Sequence, residues 1–308
     1  MNIQVAQLGL CWGIDRAYQL MGKDALMMPE KVRYATHRLA LPGTNQDLDT
    51  LGRIARRDPR TLATYPGLES ITVLPTSSSL DKGDTLLLGF HGLSREELAD
   101  LQSRGVEVRD HKCPFIADLD KRMERAVADG FNLVFMGKLT SHHARYACEV
   151  AEKGGRRCVV VNTVEEFGAI RSTPDERWAL FAQVTGNTLL WDQLVEANQK
   201  TGLAQMVAPT LCSDSYDRQA EALALAESCN AMLLVDDGGG GASSVFDRLS
   251  TRARGVMRVR WREDDTWKQS LDIDWFDGLD SLGIIGGINI PSWALAEVKQ
   301  HIEAYARQ

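Results

Sequence analysis

Apolar residues along this chain fall into short continuous runs that alternate with helical patterns. Runs without polar interruptions are typical of strands that are buried on both faces of a sheet. Eight such candidates span the chain, at 2–8, 84–90, 131–136, 157–162, 179–184, 230–235, 255–261 and 282–286. The alternation predicts an α/β protein whose sheets are mostly parallel.

Helical patterns fill the gaps between these runs. In 115–129, apolar side chains recur every three or four positions and form one amphipathic face. Thr163 and Glu166 have the spacing of a capping box, which predicts a short helix directly after them. A last helix is expected from about Pro291, a favoured first-turn residue, to about Arg307.

Six cysteines fall at two kinds of position in this pattern. Three precede predicted helices at intervals of about a hundred residues: Cys11, Cys113 and Cys212. This spacing predicts three small α/β domains, 1–112, 113–211 and 212–308, each presenting one thiol at the carboxyl edge of its sheet. The first domain contains a loop-rich segment, 42–83, with one possible helix at 47–56.

The other three cysteines lie inside helix or strand patterns and are expected in the core. They are Cys148, Cys158 and Cys229. No two cysteines have CxxC spacing, and a disulfide framework is not expected in a reduced-compartment protein of this size.

Three thiols from three domains could meet at one central point. A helix N-terminus carries positive partial charge, which favours a thiolate there. Thiolates beside amide donors are the ligands that an iron–sulfur cluster needs. Three ligands would leave one iron of a cubane cluster open to polarise a substrate oxygen. The alternative is three buried structural thiols.

Composition narrows the class of protein. The chain has 308 residues, of which 44% are apolar and 25% charged, as in ordinary globular proteins. Its formal net charge of −7 argues against sequence-independent nucleic-acid binding. The sequence shows neither a membrane-spanning apolar stretch nor the basic start of a secretory signal, so a cytoplasmic protein is expected.

The segments around the helix-preceding cysteines resemble the LytB/IspH family of 4-hydroxy-3-methylbut-2-enyl diphosphate reductases. The matching segments are Cys11-Trp-Gly-Ile-Asp-Arg-Ala, Gly89-Phe-His-Gly-Leu-Ser, Asp110-His-Lys-Cys-Pro and Asp217-Arg-Gln. The resemblance implies a three-lobed α/β fold in which Cys11, Cys113 and Cys212 hold a 4Fe–4S cluster in a central cavity. It also implies reductive removal of an allylic hydroxyl, with electrons from a partner such as ferredoxin or flavodoxin.

The segments that bind the diphosphate and deliver protons in that family differ here. One keeps its first histidine as His37, but Leu41 replaces the second, diphosphate-binding histidine. Another keeps a histidine at His142 and loses the glutamate of the proton relay. Val245 replaces the amide of a Ser-Ser-Asn clamp. A diphosphate needs convergent donors, so these changes predict a different, smaller or non-phosphorylated substrate.

Histidines are the candidate catalytic residues. His91 is expected to face the substrate as a donor or acid. Adjacent side chains point apart, so one of His142 and His143 is expected in the cavity. With a pKa near neutrality, either could replace the missing glutamate. The alternative for all three is a polar loop histidine. Candidate substrate-binding residues are His37, Thr185, Ser215, Ser243, Ser244 and Asn289.

The sequence therefore predicts an iron–sulfur enzyme that carries out reductive dehydration, or a related reduction or elimination, on a small molecule other than the usual diphosphate. One alternative is the authentic diphosphate reductase with a rearranged pocket. Another is a non-catalytic iron–sulfur sensor or binding protein. A third keeps three structural thiols in a sugar- or nucleotide-type binding module.

Overall fold

The computed structural model describes residues 1–28, 33–36, 63–74, 78–93, 95–236, 240–253, 255–261 and 266–305. Within them, twelve strands form three four-stranded sheets, and each pair of neighbouring strands is parallel. The strands are β1 (Asn2–Val5), β2 (Arg33–Thr36), β3 (Thr72–Leu74), β4 (Thr85–Leu88), β5 (Glu107–Asp110), β6 (Asn132–Met136), β7 (Cys158–Val161), β8 (Trp178–Ala182), β9 (Met206–Val207), β10 (Ala231–Asp236), β11 (Val256–Arg260) and β12 (Ser281–Gly286). The predicted α/β fold with parallel sheets is confirmed.

The helices of the described residues lie mostly between successive strands. They are α1 (Trp12–Met27), α2 (Arg95–Ser103), α3 (Pro114–Ala128), α4 (His142–Lys153), α5 (Val164–Gly168), α6 (Thr188–Thr201), α7 (Ser213–Ser228), α8 (Gly240–Leu249), α9 (Thr266–Ser270) and α10 (Ser292–Tyr305). Short 3-10 helices occur at Leu68–Ser70 and Ile273–Phe276. The possible helix at 47–56 falls outside the described residues.

The sheet orders are β3-β2-β4-β5, β7-β6-β8-β9 and β1-β12-β10-β11. All eight predicted strands occur, and β2, β3, β5 and β9 are additional. Two of these additional strands show why the pattern missed them. β5 reads Glu-Val-Arg-Asp and is half-exposed, and β9 has two residues. Both are edge strands, so neither requires an apolar run.

The N-terminal strand belongs to the sheet of the C-terminal region. β1 pairs with β12 in the register Asn2 to Ser281. The expected first domain, 1–112, included this strand, so the sheet order corrects that grouping. Pairing between strands about 280 residues apart depends on tertiary packing, which a local apolar pattern cannot reveal.

Local helix signals agree closely with the structure. The Thr163 hydroxyl accepts a hydrogen bond from the Glu166 backbone N–H at 3.1 Å, so α5 starts at the predicted capping box. In α3 the predicted apolar face is buried except at Phe115, which is 38% exposed. The cysteine before each of α1, α3 and α7 lies in one apolar cluster with the buried face of α3.

Candidate functional site

Three cysteines occupy equivalent positions at the starts of helices, one beside each of the three sheets. Cys11, Cys113 and Cys212 are the N-cap residues of α1, α3 and α7, and none makes a side-chain capping bond. A cysteine at the N-cap leaves its sulfur beside the first free N–H groups of the helix.

The same backbone contact positions each of these cysteines. The N–H of Cys113 donates to Phe90 O at 2.8 Å, and that of Cys212 donates to Val184 O at 2.9 Å. The N–H of Cys11 donates to Ile288 O at 2.8 Å. Each acceptor lies two residues after the end of a central strand, β4, β8 or β12. The three sheets therefore present their cysteines by one repeated device.

Gly13 leaves room for two of the sulfurs. A Cβ at this position would lie 2.7 Å from Cys113 Sγ and 3.8 Å from Cys11 Sγ. The two sulfurs therefore lie beside the same point of the α1 backbone. Electrostatic interactions with Cys11 and with Cys113 both raise the pKa of Cys212. The third thiol therefore lies close enough to interact with the other two.

Burial opposes ionisation of these thiols. Desolvation, followed by the charge of Asp214, raises the pKa of Cys11 to about 11. Desolvation also raises the pKa of Cys212 to about 12, although the Ser215 N–H acts against it. The expected thiolate stabilisation at a helix N-terminus is therefore outweighed by burial. Iron would reverse this balance, because thiol ligands lose their protons when they bind a metal.

The three cysteines line a cavity of about 1660 Å³. Cys11 and Cys113 are accompanied there by the aromatic rings of Trp12 and Phe115, which meet edge to face with centroids 6.2 Å apart. Trp12 is 52% exposed, so it is not a core tryptophan. Candidate site residues that also line this cavity are His91, His142, His143, Thr185, Ser243, Ser244 and Asn289.

Three histidine rings lie in mutual contact in this cavity. The ring centroids of His91 are 5.9 Å from His142 and 5.4 Å from His143, and the latter two are 5.8 Å apart. At least one of the adjacent pair was expected to face the cavity, and both line it. The His91 Nδ1 atom is buried without a hydrogen-bond partner among the described residues, so it is available to a ligand.

The pKa of each of these imidazoles is lowered, in contrast to the near-neutral pKa expected from the sequence. Burial, and then the charge of His142, lowers the pKa of His143 to about 3. Burial is also the main cause of the lowered pKa of His91 and His142. Lys112 adds a positive charge that acts against protonation of all three rings.

One predicted substrate-binding residue, Ser215, does not line the cavity. Ser215 is buried and donates to Gly186 O at 2.9 Å while it accepts from Gln219 Nε2 at 2.9 Å. It is therefore a structural link at the start of α7. His37 lies outside the described residues.

Two of the candidate substrate-binding residues, Ser243 and Ser244, lie within the first turns of α8, which starts at Gly240. The Ser244 hydroxyl donates to Thr185 O at 2.9 Å and ties α8 to the loop after β8. Val245, in contrast, is buried in an apolar cluster.

Arg218 belongs to the matching segment Asp217-Arg-Gln, but the sequence did not predict its structural role. It is 1% exposed and makes an ion pair with Asp214 at 3.1 Å. Its guanidinium also donates to Gly9 O at 2.8 Å and to Leu8 O and Gly286 O, both at 3.3 Å. The i,i+4 spacing of Asp214 and Arg218 was an available signal. The contacts fix the Cys212 helix against the loop that carries Cys11.

A single-metal site is not formed by these side chains. No group of three or more His, Cys, Asp or Glu residues in the described parts of the chain converges on one ion. A cubane cluster makes a different demand, because each cysteine binds a different iron of the core. Three thiols around one cavity, with space kept open by Gly13, fit that demand.

No helix within the described ranges is long and apolar enough to cross a membrane. The fold and the cavity together define an α/β protein whose three sheets present three N-cap cysteines to one cavity. The chain belongs to the LytB protein family, whose model matches residues 3–303. The predicted resemblance is confirmed.

Relatives from several bacteria resemble the whole chain. A 4-hydroxy-3-methylbut-2-enyl diphosphate reductase of Anaeromyxobacter sp. (strain K) is 24% identical over 99% of both chains. The enzyme of that name from Geobacter sulfurreducens is 26% identical over 99% of this chain and 98% of its own length. The solved structure of the E-1-hydroxy-2-methyl-but-2-enyl-4-diphosphate reductase from Plasmodium falciparum superimposes with a TM-score of 0.76 at 12% identity, covering 97% of this chain and 87% of that one. This last likeness concerns the fold.

Proposed function

We propose that this protein is an iron–sulfur reductase that removes a hydroxyl group from an allylic substrate. The observation that carries the proposal is the convergence of three helix-capping cysteines on one cavity, with Gly13 leaving space between two of them. In balanced form, R–OH takes up two electrons and two protons and gives R–H and water. Membership of a family of named reductases supports the reaction class.

Cys11, Cys113 and Cys212 would hold a 4Fe–4S cluster. When bound, such a cluster would supply electrons and a Lewis-acidic iron without a protein ligand. The protein must receive those electrons singly or in pairs from a carrier, and ferredoxin or flavodoxin is the proposed donor. A cytoplasmic location remains a prediction.

The histidine cluster is proposed to handle the substrate oxygen and its protons. A neutral imidazole can both accept and donate a hydrogen bond. Its lowered pKa makes an imidazolium in this cavity a strong acid once it forms. His91 Nδ1 is the atom with unmet hydrogen-bonding capacity, so it is assigned to the substrate. His142 and His143 take the proton-delivery role.

The finer proposal concerns the substrate, which we infer differs from the usual allylic diphosphate. The residue in the position of the family amide, Val245, is 2% exposed and packs in the core, so it offers no donor to the cavity. Asp236 adds a carboxylate to the cavity wall, although it is paired with Arg258 at 2.6 Å. Such a wall suits a substrate with less negative charge.

A second candidate is the diphosphate itself. The curated relatives that match nearly the whole chain carry the name of that activity. Lys138 and Arg145 also line the cavity and bring positive charge to it. These two residues could bind a diphosphate in place of the missing histidine.

The test begins with anaerobic purification and iron–sulfur reconstitution. About four irons per chain and a broad absorbance band at about 400 nm are expected, as for a 4Fe–4S protein. Cys113→Ser should lose the cluster, whereas Cys229→Ser, at a buried position that does not line the cavity, should keep it. An iron-free protein after reconstitution would contradict the proposal.

Substrate class is tested by the oxidation of a reduced viologen under argon. Turnover of a non-phosphorylated allylic alcohol, with little turnover of 4-hydroxy-3-methylbut-2-enyl diphosphate, is expected. The reverse ratio identifies the second candidate. A cluster that is reduced and reoxidised without any substrate-dependent turnover indicates the sensor alternative.

A further inference from the structure

Two cysteines outside the cavity face each other. Cys148 lies in the middle of α4, and Cys158 is the first residue of β7. Their Sγ atoms are 2.9 Å apart, and both residues are half-buried. The sequence predicted that both thiols lie in the core, whereas the structure leaves both half-buried and in contact with each other. A disulfide bond of about 2.0 Å needs only a small further approach of the two sulfurs.

The turn between α4 and β7 imposes this proximity. The N–H of Gly155 donates to Glu152 O at 2.9 Å, and that of Arg156 donates to Ala151 O at 2.8 Å. Gly155 has a positive φ of 64°, which reverses the chain at low steric cost. The chain therefore returns along α4 through a defined turn, and the two thiols meet because of the backbone path.

The strand that carries Cys158 is also held in place. Cys158 is opposite Leu133 in the parallel pairing of β7 with β6. Its side chain packs against the apolar cluster that includes the cavity cysteines. Burial, and then the hydrogen bond from Cys148, raises the pKa of the Cys158 thiol. We therefore expect both cysteines to remain thiols until an oxidant reaches the exposed part of their side chains.

We propose that Cys148 and Cys158 are a modification site at which a small-molecule disulfide or a peroxide produces a reversible intramolecular disulfide. Two S–H bonds break and one S–S bond forms, so the pair gives up two protons and two electrons. A small-molecule disulfide accepts them and becomes two thiols, or hydrogen peroxide becomes two waters. A dithiol reductant reverses the step. The bond would tie β7 to α4, the helix that begins with His142 and His143.

The experiment uses the anaerobically purified holoprotein with oxidised glutathione as the probe, because this oxidant is milder to a cluster than peroxide. After acid denaturation and alkylation, the number of free thiols should fall from six to four. Tryptic peptides 146–153 and 158–171 should be joined and two hydrogens lighter than their sum. Treatment with dithiothreitol should restore both free peptides.

Matched variants locate the bond. Cys148→Ser and Cys158→Ser should each abolish the joined peptide, and Cys229→Ser should leave it unchanged. Separate alkylation of both cysteines in the oxidised wild type would overturn the proposal, and so would a link between two molecules. The wild-type peptide map decides the question even where a variant fails to fold. It also does not depend on enzyme activity, so it is independent of the proposed function.

Discussion

The absence of a side chain at position 13 is as important as the presence of the thiols around it. A Cβ there would come within 2.7 Å of Cys113 Sγ, a distance that real Cβ atoms do not adopt. The sulfur would have to rotate away from its place beside Cys11. Glycine thus reserves the space in which the proposed cluster would be bound.

Gly13→Ala is therefore expected to lower the iron content from about four per chain to near zero after reconstitution, with the fold retained. The measurement is iron per chain together with far-ultraviolet circular dichroism. Gly168→Ala is the matched control, since a Cβ at that helical position meets nothing within 4 Å. Full iron content in the Gly13 variant would show that the thiols do not need this space.

The lowered pKa of His143 predicts that the free energy of unfolding depends on pH. Its pKa is about 3 in the folded protein because of burial, whereas an unfolded chain has a histidine pKa of about 6.5. Between these values the unfolded chain binds a proton that the folded chain does not. The free energy of unfolding should therefore be highest above about pH 6.5 and fall as the pH drops toward 3.

Urea unfolding between pH 7 and 4 measures this effect, at a constant cofactor state. The free energy of unfolding of His143→Gln should change less with pH than that of the wild type. The variant lacks the imidazole that the unfolded chain protonates and the folded chain does not. His301→Gln, in α10 and outside the cavity lining, is the matched histidine variant for comparison. Equal slopes for wild type and His143→Gln would contradict the assignment.

At the scale of elements, the site depends on how helices begin. α1, α3 and α7 each start at a cysteine whose N–H is bonded to the segment two residues after a central strand. One side chain then links two of these starts, because Arg218 reaches from α7 to Gly9 O, just before Cys11, and to Gly286 O at the end of β12. The ion pair with Asp214 satisfies its charge in a buried setting.

Arg218→Leu is expected to reduce the free energy of unfolding by about 3 to 5 kcal/mol, because it leaves Asp214 and several carbonyl groups buried without a partner. Chemical denaturation measures the loss, and iron content should fall with it. Arg125→Leu serves as the control, since that guanidinium is 86% exposed and its ion pair with Asp129 spans 3.8 Å. A stability change no larger than that of the control would remove Arg218 from this role.

The described residues form three sheets around one cavity, and the first and last of their strands pair in one sheet. β1 pairs with β12, so the loop that carries Cys11 is anchored to the C-terminal region. The apolar cluster that contains the three cysteines includes residues of α1, α3, β6 and β8. A group bound to all three thiols would therefore connect the starts of α1, α3 and α7.

Removal of the proposed cluster is expected to lower thermal stability. A ligand that binds the folded state and not the unfolded chain stabilises by its binding free energy. Differential scanning calorimetry under argon, before and after iron is removed with a chelator, should show a lower Tm for the iron-free protein. Identical Tm values would indicate that the three thiols do not share one bound group.

Much of the fold followed from the apolar pattern. The eight predicted strands and the capped helix at Thr163 occur because their signals are local: a continuous apolar run and a side chain that caps its own helix. The edge strands β5 and β9 were missed, since one is polar and half-exposed and the other has only two residues. The candidate ligands were identified because a cysteine just before a helix is also a local feature.

The sequence by itself determined the α/β class, the three helix-capping cysteines and the family resemblance, all of which depend on residues close together along the chain. Tertiary structure decided the features that depend on distant residues. These are the β1–β12 pairing, the three-histidine contact, the Arg218 link and the facing thiols of Cys148 and Cys158. The physical reason is burial: desolvation sets the protonation of the thiols and imidazoles, and only packing determines which side chains lose their water.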